Sequence, residues 1–109
     1  YPVWLTELIQ KMHSVDLIGG TLDDVVKASN FSHGHLCRLF KKYTGERIID
    51  IFSRIKMQHA CRLLSNPELT ILQISSFVGY DSQSNFINQF KKYTGLTPSA
   101  YRKNMSSGS

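Results

Sequence analysis

The sequence predicts an all-α fold in which one helical unit is used twice, on either side of a long connecting helix. The string FKKYTG stands at Phe40 to Gly45 and again at Phe90 to Gly95. Apolar residues recur at three-to-four spacing through most of the chain. No strand-like alternation of useful length breaks that period. The 109 residues suit one compact domain or two very small ones, and 41% apolar content suffices for a core.

The opening run carries Val3, Trp4, Leu5, Leu8, Ile9 and Met12 on one helical face, and Gly19-Gly20 closes that helix and its loop. Trp4 shares this face and is expected to pack the helix on the first unit. Thr21 with Asp24, and Thr70 with Gln73, have capping-box spacing, so helices start near 22 and 71. Each is short, and the turns Asn30-Phe31-Ser32 and Gly79-Tyr80-Asp81 lead to side chains suited to cap a next helix: Ser32, then Asp81 or Ser82. Those next helices run about 33 to 43 and 82 to 93. Gly45 and Gly95 follow their lysine-rich last turns, where glycine accepts the left-handed conformation that closes a helix. Thr21 to Gly45 lies on Thr70 to Gly95 with one extra residue in the second turn. Leu36, Leu39 and Phe40, then Phe86, Phe90 and Tyr93, are the expected buried faces.

Between the copies, Ile48, Ile51, Phe52, Ile55, Ala60, Leu63 and Leu64 keep helical spacing without an internal glycine or proline. One helix of about 46 to 65, roughly 30 Å long, is expected, stopped by Asn66-Pro67. Thr97-Pro98 caps and opens a last helix of about 98 to 104. The organisation expected is a first subdomain at 1–45, a connecting helix at 46–65, a second subdomain at 66–104 and a flexible tail at 105–109.

The formal net charge is +5, and its placement matters more than its size. From His33 to Gly45, and from Ser82 to the end, there are basic residues and no acidic ones; Asp16, Asp23, Asp24, Glu46, Asp50 and Glu68 lie elsewhere. Such segregation favours a polyanionic partner. No apolar run approaches bilayer length, and the first residues carry no secretory pattern, so a cytoplasmic protein is expected. Cys37 and Cys61 both fall in expected helices and are taken as reduced thiols.

A helix the length of His33 to Tyr43 fits the major groove of B-DNA. Burying its apolar face leaves Gly34, Cys37, Arg38 and Lys41 outward, and the same geometry leaves Gln83, Ser84, Ile87, Asn88 and Lys91 outward in the second copy. Gln83 and Asn88 suit adenine, Arg38 suits guanine and Ile87 suits a thymine methyl. Lys41, Lys42, Lys91 and Lys92, with Ser32 and Ser82 at the helix starts, suit phosphates. For a single isolated helix, a solvated face would be the better explanation of these residue types; their duplication reverses that and favours double-stranded DNA.

Other chemistries find less support. His33 and Cys37 share a helical face, but His35 turns away and no fourth ligand stands near, so no metal is expected. His13 and His59 have no carboxylate or serine constellation, and neither catalysis nor a cofactor is expected. Phe31, Tyr43, Tyr80 and Tyr93 could serve as stacking platforms for single strands, but they sit at expected buried positions. A helical protein-interaction module with a basic face is the alternative from another class.

At these residues the chain closely resembles the DNA-binding domain of the AraC family of bacterial transcription regulators, over about residues 3 to 104. Ala60, Leu63-Leu64, Ile71, Ile74, Gly79-Tyr80, Phe86, Phe90-Lys91, Gly95, Pro98 and Tyr101-Arg102 fall at the family's spacings. The resemblance implies seven helices forming two helix-turn-helix units on a connecting helix, with outward positions of the third and sixth helices touching bases. Carried over, these are Gly34, Cys37 and Arg38, then Gln83, Ser84, Ile87 and Asn88. Val26 and Ser75 stand where the family usually has alanine, Asn30 replaces a turn glycine, Lys56 replaces a frequent arginine, and Gly34 stands where a larger side chain is common. The resemblance also implies a separate effector-binding and dimerising domain ahead of this one, and RNA polymerase as a partner of the full-length regulator; the chain is expected to be a C-terminal fragment.

Overall fold

The computed structural model describes residues 1–107, which form eight helices and, among the described residues, no strand. They are α1 (Val3–Met12), α2 (Val15–Ile18), α3 (Leu22–Ser29), α4 (His33–Thr44), α5 (Ile48–Leu63), α6 (Ile71–Phe77), α7 (Gln83–Thr94) and α8 (Pro98–Ser107). The all-α class stands, but the count exceeds the expected seven by α2. A single turn of helix has no periodicity of its own to read. It forms because Leu17 and Ile18 are drawn into the core beside α1.

Two compact units divide between Lys56 and Met57, inside α5. In the first, α1 contributes Leu5, Leu8 and Met12, α3 contributes Val25, α4 contributes Leu36 and Phe40, and α5 contributes Ile48, Ile51, Phe52 and Ile55 to one buried cluster. Trp4 packs against its edge, with its ring 4.8 Å from Phe31 and 6.5 Å from Tyr43. Burial of side chains this size stabilises by about 1.5–3 kcal/mol each, which is what holds such short helices in place.

The second unit repeats the plan with Met57, Ala60 and Leu64 of the chain through α5, Ile74 and Val78 around α6, and Phe86 and Phe90 of α7. Here α8 takes the covering role. The Phe90 and Tyr101 rings meet edge-on at 5.4 Å, and the Arg102 guanidinium donates to the Leu64 and Asn66 carbonyls, each at 3.1 Å. Burial, the leading cause, raises the Cys61 thiol above its ordinary range against a hydrogen bond with Tyr101. Ser75 is buried and satisfied by donating to the Leu72 carbonyl at 2.8 Å.

The ends of two helices differ from expectation. α5 covers 16 residues, a rise of about 24 Å, because Glu46 and Arg47 belong to its approach: the Glu46 amide donates to Thr44 Oγ1 at 3.1 Å. α8 continues to Ser107, so residues 105–107 complete a helix where a tail was expected; residues 108 and 109 of that expected tail lie outside the described residues. No helix among the described residues is long and apolar enough to cross a membrane.

Candidate nucleic-acid interface

The α3-turn-α4 and α6-turn-α7 segments are built by the same local chemistry. At the start of α6, Thr70 Oγ1 accepts from the Gln73 amide at 3.0 Å while Gln73 Oε1 accepts from the Thr70 amide at 2.8 Å. At α3 the Asp24 carboxylate accepts from both the Thr21 amide, at 2.8 Å, and the Thr21 hydroxyl, at 3.3 Å. The backbone bond to Thr21 is the main reason that the Asp24 carboxyl titrates below its ordinary range. Each first helix then ends on a left-handed residue, Asn30 at φ 65° and Gly79 at φ 83°. Asn30 tolerates this conformation better than most side chains do, so the turn forms without a glycine.

The second helices match still more closely. α4 and α7 each have 12 residues. Ser32 Oγ accepts from the His35 amide at 3.3 Å, and Ser82 Oγ from the Asn85 amide at 3.1 Å. At the other end, Thr44 and Thr94 donate to the Phe40 and Phe90 carbonyls at 2.7 and 3.0 Å, and Gly45 and Gly95 take φ of 77° and 83°. Positions 32 to 48 therefore correspond to 82 to 98 by a constant offset of fifty.

The expected base-facing positions divide by exposure. Gly34, Arg38, Gln83, Ser84 and Asn88 are exposed, whereas Cys37 and Ile87 are half-buried and lean on their units' cores. Cys37 Sγ also lies 3.9 Å from His33 Nδ1. Of the expected phosphate-facing groups, Ser32 and Ser82 use their oxygens as caps and keep their hydroxyl protons to donate outward. Lys41 Nζ donates to the Gly45 carbonyl at 3.1 Å, and the Lys42 ammonium lies 5.4 Å from the Tyr43 ring centre. Lys91 and Lys92 are exposed and, with Asn85, Asn88 and Gln89, line a shallow concavity along α7.

Asn85 and Gln89 are thus added to the polar face of α7. They were legible in principle, since 85, 88, 89 and 92 follow the i, i+3, i+4, i+7 stripe. Five burial expectations need correction. Tyr93, placed inside from sequence, is 44% exposed; Tyr43, its counterpart, is 38% exposed; and Phe31, Leu39 and Tyr80 are only half-buried. In the last turns of α4 and α7 the core is already filled by Phe40 and Phe90, and a tyrosine can lay its ring on that edge while its hydroxyl stays in water.

Acidic groups near α4 are matched by their own partners. Arg54 holds Glu46 through two bonds of 3.0 and 2.9 Å, and Arg47 holds Asp50 at 3.0 and 3.2 Å. Those hydrogen bonds are the leading cause that keeps both carboxyls below their ordinary range. The charge of α4 is consequently left for an external anion. Among the described residues, no group of three or more His, Cys, Asp or Glu is gathered closely enough to hold a metal ion.

A family model described as a helix-turn-helix domain matches residues 25–104. The Msm operon regulatory protein of Streptococcus mutans is 35% identical over 82 residues, covering 75% of this chain and 30% of that protein. The chain spans about 30% of the length of the first curated relatives it matches. Among solved structures, the C-terminal domain of the two-component response regulator yesN from Fusobacterium nucleatum superposes with a TM-score of 0.77 at 34% identity, covering 90% of this chain and 97% of that one. A Chromobacterium violaceum transcriptional regulator, described among AraC-type DNA-binding domain-containing proteins, superposes with a TM-score of 0.78 at 26% identity, covering 93% and 90%.

Proposed function

The chain belongs to the AraC-type helix-turn-helix family, and from that premise we propose that it binds double-stranded DNA in transcription regulation through α4 and α7, each lying in a major groove. The observation that carries this reading is the duplicated pair of capped 12-residue helices, whose exposed faces hold arginine, lysine and amide side chains and no carboxylate. Helices of this width fit the major groove, and such residue types are the ones that read base edges and phosphates there.

Under this proposal Gly34, Cys37, Arg38, Gln83, Ser84, Ile87 and Asn88 face bases, while Ser32, Lys41, Lys42, Ser82, Lys91 and Lys92 face phosphates. Gly34 offers no side chain, so the first helix reads mainly through Arg38 and its backbone. The two helices would enter neighbouring major grooves on one side of the duplex, which recur about every 34 to 36 Å. In the full-length regulator, contact with RNA polymerase and control by an effector-binding, dimerising domain belong to the same proposal, as does action on nucleoid DNA in the cytoplasm. No enzymatic role is proposed.

Fluorescence anisotropy with labelled duplexes at increasing salt tests this. DNA binding predicts that log K falls linearly with log salt, with a slope of about −0.9 for each phosphate neutralised. Absent duplex binding, or affinity that salt leaves unchanged, would favour a protein-docking role for the basic face instead.

A further inference from the structure

The geometry points to a chemically lopsided DNA site: one half read for guanine by the first unit, the other read for A·T pairs by the second. This rests on the proposed DNA binding and names the base chemistry of each half. It comes from a census of the guanidinium groups, the side chains best shaped to pair with guanine O6 and N7.

All but one of the arginines are committed within their own unit. Arg47 and Arg54 hold Asp50 and Glu46, Arg62 lies 2.9 Å from the His59 ring, and Arg102 donates to the Leu64 and Asn66 carbonyls. Arg38 alone makes no hydrogen bond or ion pair among the described residues, and it is exposed on α4. Its guanidinium reaches back over the first turn: a Cβ built on Gly34 would meet Arg38 Nη1 at 3.5 Å. A methyl at 34 would meet Arg38 in ordinary contact, so the guanidinium extends along the strip that a longer side chain at 34 would share.

The fifty-residue offset places Asn88 where Arg38 stands, Ser84 where Gly34 stands, and Ile87 where Cys37 stands. α7 contains no arginine; beside Ser84 and its lysines it presents the exposed amides Gln83, Asn85 and Asn88 and the half-buried Gln89, which suit adenine N6 and N7, and the half-buried Ile87, which suits a thymine methyl. The same offset pairs His33 with Gln83. His33 is exposed on the first turn of α4 and joins Arg38 as a reading group of the first unit, one that sequence inspection weighed only as a metal ligand.

Selection of bound duplexes from a random pool, using the 109-residue chain and its variants, tests the inference. The expected wild-type site has guanine at a defined position in one half and A·T pairs in the other. Arg38→Asn should erase the guanine preference, a discrimination of about 10- to 100-fold at that position, and Asn88→Arg should create one in the opposite half. Arg38→Lys keeps the charge and helix propensity but gives up the planar fork, so it should retain the salt slope while weakening the guanine preference less than Arg38→Asn does. Selected sites whose guanine content is indifferent to residue 38, with duplex binding intact, would overturn the assignment of halves. A wild-type chain that selects no duplex at all would overturn the DNA reading itself.

Discussion

The ammonium of Lys56 donates to the Gly20 carbonyl at 2.7 Å, tying α5 to the loop that opens α3. Lys56 is 8% exposed, its Nζ lies 4.6 Å from the centre of the Phe52 ring, and Asp24 acts on it electrostatically. Burial outweighs the Asp24 charge and brings its pKa from 10.5 down to about 8. Below pH 8 the folded and unfolded chains both hold this proton and the burial cost is present in full. Between pH 8 and 10.5 the unfolded chain still binds a proton that the folded chain has released, so the stability contributed by this group rises with pH. Urea unfolding at pH 7.5, 9 and 10.5 should show wild type gaining on Lys56→Met across that window. A constant difference between the two proteins would refute the linkage.

Asn88→Ala should relax base preference more than it weakens nonspecific binding, because a bidentate amide discriminates among bases while phosphate contacts do not. Lys92→Ala should do the reverse, weakening all duplexes alike and lowering the salt slope by about one. Competition assays with specific and random duplexes separate the two outcomes.

The serine caps offer a paired test. Ser32→Ala and Ser82→Ala each remove an acceptor for one orphan amide and should each cost about 1 kcal/mol in thermal or urea unfolding. A loss at one site alone would show that the two capped ends are not energetically equivalent.

Gly95 isolates backbone strain from packing. A Cβ there meets nothing within 4 Å, yet φ is 83°. Gly95→Val should therefore destabilise by about 1–2 kcal/mol, while Gly95→Asn should cost less. Equal losses would point to a cause other than φ.

Coupling through α5 is best tested away from either core. Ile55 is buried with the first unit's core, so a proline there would damage that unit itself. Gln58 is exposed, and Gln58→Pro removes one helical hydrogen bond and sets its ring against the Arg54 carbonyl, which kinks α5 without truncating a core side chain. If the units act as one reader, this variant loses more affinity on a two-groove site than on a half site. Equal losses on both would reject coupling through the helix.

Local chemistry along the chain was sufficient for the elements that recur. Ser32 and Ser82 as caps, Gly45 and Gly95 as left-handed residues, the turns at Asn30 and Gly79, and the Phe40 and Phe90 anchors all act within a few residues of themselves, which is why a linear reading finds them. Packing alone decided the rest. The α2 turn exists because Leu17 and Ile18 are buried, and Tyr43 and Tyr93 stay half outside because Phe40 and Phe90 already fill the space beneath. That Arg54 and Arg102 are already engaged was equally invisible, since their acceptors lie eight and thirty-six or more residues away. Hydrogen bonds closed within one turn follow from the order of residues; those closed across a core depend on what the fold brings beside them.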